Sequence, residues 1–315
     1  MNTLQNMRIF ARVAEAGSFT EAARHLDTTT GAVSRAVADL EIHLRTRLLN
    51  RTTRRTALTE AGDRYLRHCE HILGYIDQAE AEAAGAHVRP AGQLRVHATS
   101  GFGQYYVAPA VVQYQQRFPS VSVDLTLSQH LPDLLDDGYD VSLQLAVGDL
   151  PDSGLVSQRL GESSSILCAA PTYLQKRGTP RIIADLSNHV CLQIATPFFP
   201  LGRWQFEGPS GSETFALPTA PFHVNVADAL AAALRAGIGI GALPISTALP
   251  SLSNGSLVPV LHDYSLQRMT IYALYASRHY VDAKIRTWID FLQEHIPVML
   301  QADLNALSAL QEKQL

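Results

Sequence analysis

The side chains whose types and spacing suit chemistry lie between Thr28 and Arg55, and the chemistry they suit is recognition of duplex DNA. Thr28, Thr29, Thr30, Ser34 and Arg35 fall close together, so hydroxyls and one guanidinium could reach base edges from a slim helix front. Arg35 can hydrogen-bond guanine, and the threonine methyls can touch thymine methyls. Thr28 is expected to cap the helix and to contact phosphate. Farther along, Arg51, Arg54 and Arg55 cluster in LLNRTTRRTAL, where they suit backbone phosphates better than bases. Elsewhere the same residues would read as a capping turn and solvated surface charge, so the surrounding pattern has to decide.

That pattern is a helix-turn-helix. Ser18 stands three residues before Glu21, a capping box opening a helix through Ala22, Ala23 and Leu26. A polar break at Asp27 to Thr30 follows. Val33, Val37, Leu40 and Leu44 then recur at three to four residues and mark the buried stripe of a second helix, which leaves Thr30, Ser34 and Arg35 largely off it. Before this pair, Leu4, Met7, Phe10, Ala11 and Ala14 share one face of a first helix. After it, Leu48 to Leu58 reads as a short hairpin wing. Thr59 can cap a long helix from Glu60 to about Gly85 whose stripe, Tyr65, Leu66, Cys69, Ile72, Leu73, Ile76, Ala79 and Ala83, is too long to be buried alone. The expected partner is the same helix of a second subunit, setting two heads at a fixed spacing. GAHVRPAG, residues 85–92, then breaks the helix as a linker.

At 315 residues the chain has room for two or three domains. The net charge of −4 hides an asymmetry: residues 1–62 carry nine arginines against six carboxylates, and the remainder 16 basic against 23 acidic side chains. A basic head on an acidic body suits phosphate binding at one end. No apolar run approaches the roughly 20 residues of a membrane span, and MNTLQNMRIF lacks the features of a signal peptide, so a cytoplasmic protein without membrane association is expected.

Cys69, Cys168 and Cys191 are too few for a disulfide framework or zinc cluster, and neither metal nor cofactor is expected. Several enzyme-like motifs fail on position. GIGIGA at 237–242 follows a helix and runs into Pro244, the reverse of a dinucleotide site. His68 and His71 lack a third ligand. Ser100 lacks a nucleophile elbow. The chain is therefore not expected to be an enzyme, and a redox switch between Cys168 and Cys191 stays as an alternative to ordinary buried thiols.

From Gln93 strand and helix signals alternate: QLRVHAT, then a helix from Gln104 to Arg117, VSVDLTL, a short helix at Pro132 to Asp137, VSLQLAV and VSQRL. This predicts an α/β body built on largely parallel sheets, in two lobes joined near Cys168 to Pro171 and near His262 to Met269. Ligands of such folds sit at the carboxyl ends of strands, which points to Thr99, Ser100 and Phe102. Leu300, Leu304, Leu307 and Leu310 keep helical spacing near the C-terminus, where an extra helix and a frayed tail both remain open.

With these residues in hand, residues 1–296 resemble the LysR-type transcriptional regulators. The match lies in Phe10, Val13, Ala14, Gly17 to Thr20, Ala22, Ala23, Leu26, Val33, Ser34, Leu40, Glu41, Leu44, Leu48, Arg51, Leu58, Thr59, Ala61 and Gly62, and in the body in GQLRV, FPSVSVDL, LPDSGLV and AGIGIGALP. The resemblance implies a winged helix-turn-helix at 1–59, a linker and dimerisation helix at 60–92, and a periplasmic-binding-protein-like effector domain at 93–296. Within that domain lobe I would take about 93–168 and 269–296, lobe II about 169–268, and 297–315 would be a C-terminal extension. It further implies an inducer pocket using Gln144, Phe198, Phe199 and Asn225, a homotetramer built from dimers, promoter DNA and RNA polymerase as partners, and an effector that alters promoter geometry. Departures are Thr29 where an amide is frequent, Arg45 for a common glycine, Leu49 for a phenylalanine, and Gln144 for a basic residue, which weakens the case for an anionic inducer, although the turn from Ser100 to Gly103 suits a small polar or carboxylated organic molecule. A solute-binding transport protein would account for 93–296 but would leave the basic head without a role.

Overall fold

The computed structural model describes residues 2–312 except 52–55, 84–88, 135, 149, 151–152, 197–201, 209–210, 219–220, 267 and 277–280, with backbone alone for 51, 71, 75, 77–79 and 81–83. It divides into two compact units, Met1–Arg89 with His279–Ala283, and Pro90–Arg278 with Lys284–Leu315.

The first unit contains helices α1 (Thr3–Ala16), α2 (Phe19–His25), α3 (Thr30–Leu44) and α4 (Glu60–Ala83), with an antiparallel hairpin, Leu49–Arg51 against Thr56–Leu58, between α3 and α4. Ser18 caps α2, its Oγ accepting the Glu21 amide at 3.4 Å, while the Glu21 carboxylate pairs with Arg24 instead of closing the box. Phe10, Val13, Val33, Val37, Leu40 and Leu48 are buried where α1, α2, α3 and the hairpin meet. Each such side chain contributes about 1.5–3 kcal/mol, enough to hold a small three-helix core. Glu41 ties α3 to the hairpin by accepting the amides of Leu48 at 2.8 Å and Leu49 at 3.1 Å. Thr59 caps α4 as expected, its Oγ1 accepting the Gly62 amide at 2.9 Å. Only glycine fits at 62, since a Cβ there would stand 1.9 Å from the Leu48 carbonyl oxygen. Arg45 ends α3 in the left-handed region at φ 52, the conformation that explains why glycine would be easier at this position.

The stripe of α4 differs from expectation. Tyr65, Leu66 and Cys69 pack onto the head core, with the Tyr65 ring 5.9 Å from that of Phe10. The head is small enough that α4 completes it. Only from Ile72, 38% exposed, does the described stripe lack a cover of this kind.

The second unit holds two five-stranded sheets. In one the order is Val121–Leu127, Gly92–Ala98, Val141–Ala146, Met269–Tyr275, Val156–Ser163; in the other it is His223–Val224, Cys191–Ile194, Ile240–Pro244, Ser165–Ala169, Val258–Pro259. The expectation of largely parallel sheets is corrected: each has two parallel and two antiparallel pairings. The strands that reverse, Met269–Tyr275 and Ser165–Ala169, are those arriving from the other lobe, so they enter against the local direction. The first crossing falls at Ser164, earlier than the expected 168–171, because the chain leaves one sheet at Ser163 and joins the next at Ser165. An unanticipated three-stranded sheet, Gly211–Ala216, Arg203–Gly208, Ser265–Leu266, adds to the second lobe. Among the described residues of 132–137 there is a turn in place of a helix: the Asp137 amide donates to the Asp133 carbonyl at 2.9 Å and the Tyr139 amide to the Leu134 carbonyl at 3.0 Å, and Gly138, at φ 72, turns the chain out of helical geometry. The C-terminal helix runs unbroken from Ala283 to Glu312 through Pro297.

Candidate functional site

In the first unit the turn between α2 and α3 presents Thr28, Thr29 and Thr30 to solvent, and one turn into α3 Ser34 is half-buried and Arg35 exposed. Thr30 and Ser34 are one helical turn apart and share an edge. The cap is Thr29, not Thr28: Thr29 has extended backbone, φ −87 and ψ 146, and its Oγ1 accepts the Ala32 amide at 3.2 Å. Thr28 instead belongs to the turn, its amide donating to the Ala23 carbonyl. Capping fixes the Thr29 side chain and leaves its methyl and hydroxyl proton at the helix front. Gly31, which sequence reasoning passed over, is exposed with nothing within 4 Å of where a Cβ would stand, so the head itself imposes no need for glycine there. Arg51 closes the first hairpin strand opposite Thr56, while Arg54 and Arg55 lie outside the described residues.

In the second unit a cavity of about 110 Å³ opens between the two lobes. It has room for several waters or a small organic molecule in their place. One wall comes from the first sheet's side: Thr99, Gly101, Phe102, Tyr106, Gln129 and Leu145. The other comes from the second: Leu192, Gln193, Ile194, Thr196, Trp204, Asn225, Ala242 and Ser246 among others. Ser163, Ser165 and Met269 line it from the crossings. The side chains are apolar or neutral hydrogen-bonding groups, and among the described lining residues none carries a formal charge.

The structure therefore brings Thr99, Phe102 and Asn225 together at the cavity. Ser100 and Gln144 are not in its lining, and Phe198 and Phe199 lie outside the described residues. Gln144 is buried and turned inward, donating to the Ser142 Oγ at 3.1 Å. Ser142 also meets Nδ1 of the buried His97 at 3.1 Å, whose Nε2 meets Ser128 at 3.0 Å. Burial, with His130 adding and Asp137 opposing, lowers the His97 pKa below its ordinary value. Tyr106 and Trp204 were missed. Trp204 sits on a strand of the three-stranded sheet, whose presence the sequence pattern did not reveal, whereas the adjacent Tyr105 and Tyr106 after Gly103 were a readable signal left unused.

Side-chain contacts also join the lobes beside the cavity. Tyr105 donates to Asp228 Oδ1 at 2.7 Å, and Gln129 Nε2 to the Asn225 carbonyl at 2.8 Å. Burial and this hydrogen bond push the Tyr105 hydroxyl up to about 12.

The Cys168–Cys191 switch is overturned by sheet order. Ile240–Pro244 runs between their strands, with Gly241 beside Cys168 and Ile240 beside Cys191. Two strand spacings are about 9.6 Å, beyond the roughly 4.4–6.8 Å that a disulfide spans. Burial pushes both thiols up to about 12, so both stay protonated and unreactive near neutrality.

Comparison with known proteins agrees with both halves. Residues 4–63 match the profile described as bacterial regulatory helix-turn-helix protein, lysR family, and residues 87–297 that of the LysR substrate binding domain. The chain is 34% identical over 295 residues to the HTH-type transcriptional activator AaeR of Escherichia coli strain K12, covering 94% of each. It is 32% identical over 293 residues to the HTH-type transcriptional regulator CrgA of Neisseria meningitidis serogroup C, covering 93% of this chain and 96% of that one. Among solved structures it is similar to the full-length Vibrio cholerae virulence activator AphB, at TM-score 0.59 and 29% identity, over 93% of this chain and 99% of that chain.

Proposed function

The chain belongs to the LysR family of transcriptional regulators, and on that premise we propose which residues read DNA and what the cavity takes. The observation that carries the first part is the exposed front of α3. Thr30, Ser34 and Arg35 enter the major groove, Arg35 reading guanine and the threonines reading thymine methyls. Thr28 and the wing arginines Arg51, Arg54 and Arg55 contact phosphate. Gly31 lets the helix front approach the bases closely, since no demand from inside the head accounts for it. The part of α4 from Ile72 onward pairs with its copy in a second subunit, and two such dimers form a tetramer whose spacing of heads sets the bend of promoter DNA and access of RNA polymerase.

The second part rests on the uncharged lining. A cavity with Phe102, Tyr106 and Trp204 in its walls and hydroxyls and amides around them suits a small, mainly apolar organic molecule with one or two hydrogen-bonding groups. A multiply charged effector would leave charges unmatched there. Occupancy favours one arrangement of the lobes, and the effector acts only through its differential affinity for the arrangements it distinguishes.

The check is a thermal-shift screen of the full-length chain against small organic molecules graded by charge. Ligands that raise the Tm should be neutral or singly charged, stabilising by about 2.7 kcal/mol at a hundredfold excess over Kd. Ala242→Leu, which fills the cavity, should remove the shift. Hits confined to di- and tricarboxylates would contradict this ligand class.

A further inference from the structure

The helix Ala283–Glu312 continues well past residue 297, where the match to the substrate-binding profile stops, and its extension touches both lobes. Leu300 is buried in the core of the first lobe, together with Trp288, Leu292 and Ile296. About two and three turns later Leu307 and Leu310 pack against the core of the second lobe. Leu300 lies over the last strand before the first crossing, since a Cβ on Gly161 would come within 2.8 Å of its Cδ1. The same face of the helix carries Asp303, whose Oδ2 accepts the hydroxyl proton of Tyr106 at 2.5 Å. Tyr106 is a wall of the cavity, held in the π-helical turn Gly103–Val107. Such turns disturb the regular ladder and recur at functional sites.

We infer that Asp303 is a positioning residue for the effector cavity and that the helix beyond residue 297 is a further connection between the lobes, holding their arrangement through Tyr106. This deepens the sensor reading given above and rests on it only for the word effector. Among the described residues the lobes are also joined by the strand crossings and by contacts beside the cavity, Tyr105 to Asp228 and Gln129 to the Asn225 carbonyl among them. With Leu300 in one core and Leu307 and Leu310 against the other, the extension resists separation of the lobes. Its Asp303 contact fixes where the Tyr106 ring stands. Burial, the Asp303 carboxylate and the Asp303 hydrogen bond together hold the Tyr106 proton in place, the neighbouring Ser246 pulling the other way. A hydroxyl kept protonated keeps donating to Asp303, so the anchor does not switch near neutral pH.

The test needs no effector. Trp204 lines the cavity and Trp288 is enclosed in the first lobe, so acrylamide quenching of the full-length chain reports opening at Trp204. Asp303→Ala, Tyr106→Phe, the double variant and a chain ending at Pro297 are compared with the parent by quenching and by hydrogen exchange. A hydrogen bond to a charged group shifts an opening equilibrium by about tenfold, so amides across 103–107 should exchange about tenfold faster in Asp303→Ala while those of 94–98 keep the parent rate. Tyr106→Phe should do the same, and the double variant should add nothing, because both remove one bond. Asp303→Asn, which keeps an acceptor, should restore part of the protection.

Unchanged quenching and unchanged exchange across 103–107 in Asp303→Ala would overturn the proposal, as would additive effects in the double variant. Faster exchange spread equally over 94–98 would also overturn it, marking Asp303 as a general stability residue. If the shortened chain fails to fold, the single substitutions still decide. If instead the variants open as expected but no small molecule answers in the thermal-shift screen, the strut stands and the sensor reading falls.

Discussion

At the residue scale, burial decides which groups are inert and which respond. His97 is 1% exposed, wedged between two serine hydroxyls with the Tyr139 ring edge-on at 5.4 Å. Its pKa is lowered from 6.5 in the folded chain, chiefly by desolvation. Well above that value the imidazole is neutral in both folded and unfolded states and contributes nothing to pH dependence. As the pH falls through 6.5 the unfolded chain takes up a proton that the folded chain resists, so stability is lost until the lower folded value is reached. His97→Gln should therefore lose less Tm than the parent between about pH 7.5 and 5, read in matched melting series. Parallel losses in the two would show that His97 is not a source of the slope. The helix-front residues were legible in sequence because hydroxyls and a guanidinium off an apolar stripe have few internal uses. The cap itself was misplaced by one residue, since three consecutive threonines give no local signal of which one leaves the helical backbone.

At the element scale, the helix-turn-helix was legible because its information is local: a cap, a periodic stripe and a break within a few dozen residues. The sheets were less so. Alternation of residue types marks Gly92–Ala98 and Val121–Leu127 as strands but carries no direction, and the reversed strands follow from a chain that crosses between lobes. The three-stranded sheet with Trp204 was invisible because RWQFEG and GSETFA alternate over too few apolar residues. Helix α4 shows how packing divides a single periodic signal: its first turns complete the head, and Ile72, farther along, is 38% exposed, which suits the proposed pairing with a second subunit. Ile72→Glu should accordingly weaken self-association without unfolding the head. In sedimentation the variant should dissociate to monomer at concentrations where the parent is dimeric or larger, with unchanged helical circular dichroism. An unaltered assembly would remove α4 from the subunit interface.

At the scale of the whole molecule, the basic helix-turn-helix unit and the cavity-bearing unit perform separate tasks, and the sequence showed this division through the charge asymmetry and the change of texture near Gln93. The cavity could be located only to the strand end at Thr99. Its second wall comes from residues between Leu192 and Ser246, about 90 to 150 positions farther along, brought there by sheet topology. The central claim, that the front of α3 gives this chain its DNA sequence preference, is tested most directly by selecting duplexes from a random pool with the full-length protein and measuring affinity for the winner. The parent should enrich a defined site, and Arg35→Ala should bind that site about 10- to 100-fold more weakly while keeping its affinity for random DNA. Enrichment of the same site with undiminished affinity by Arg35→Ala, or no enriched site for the parent at low salt, would contradict it.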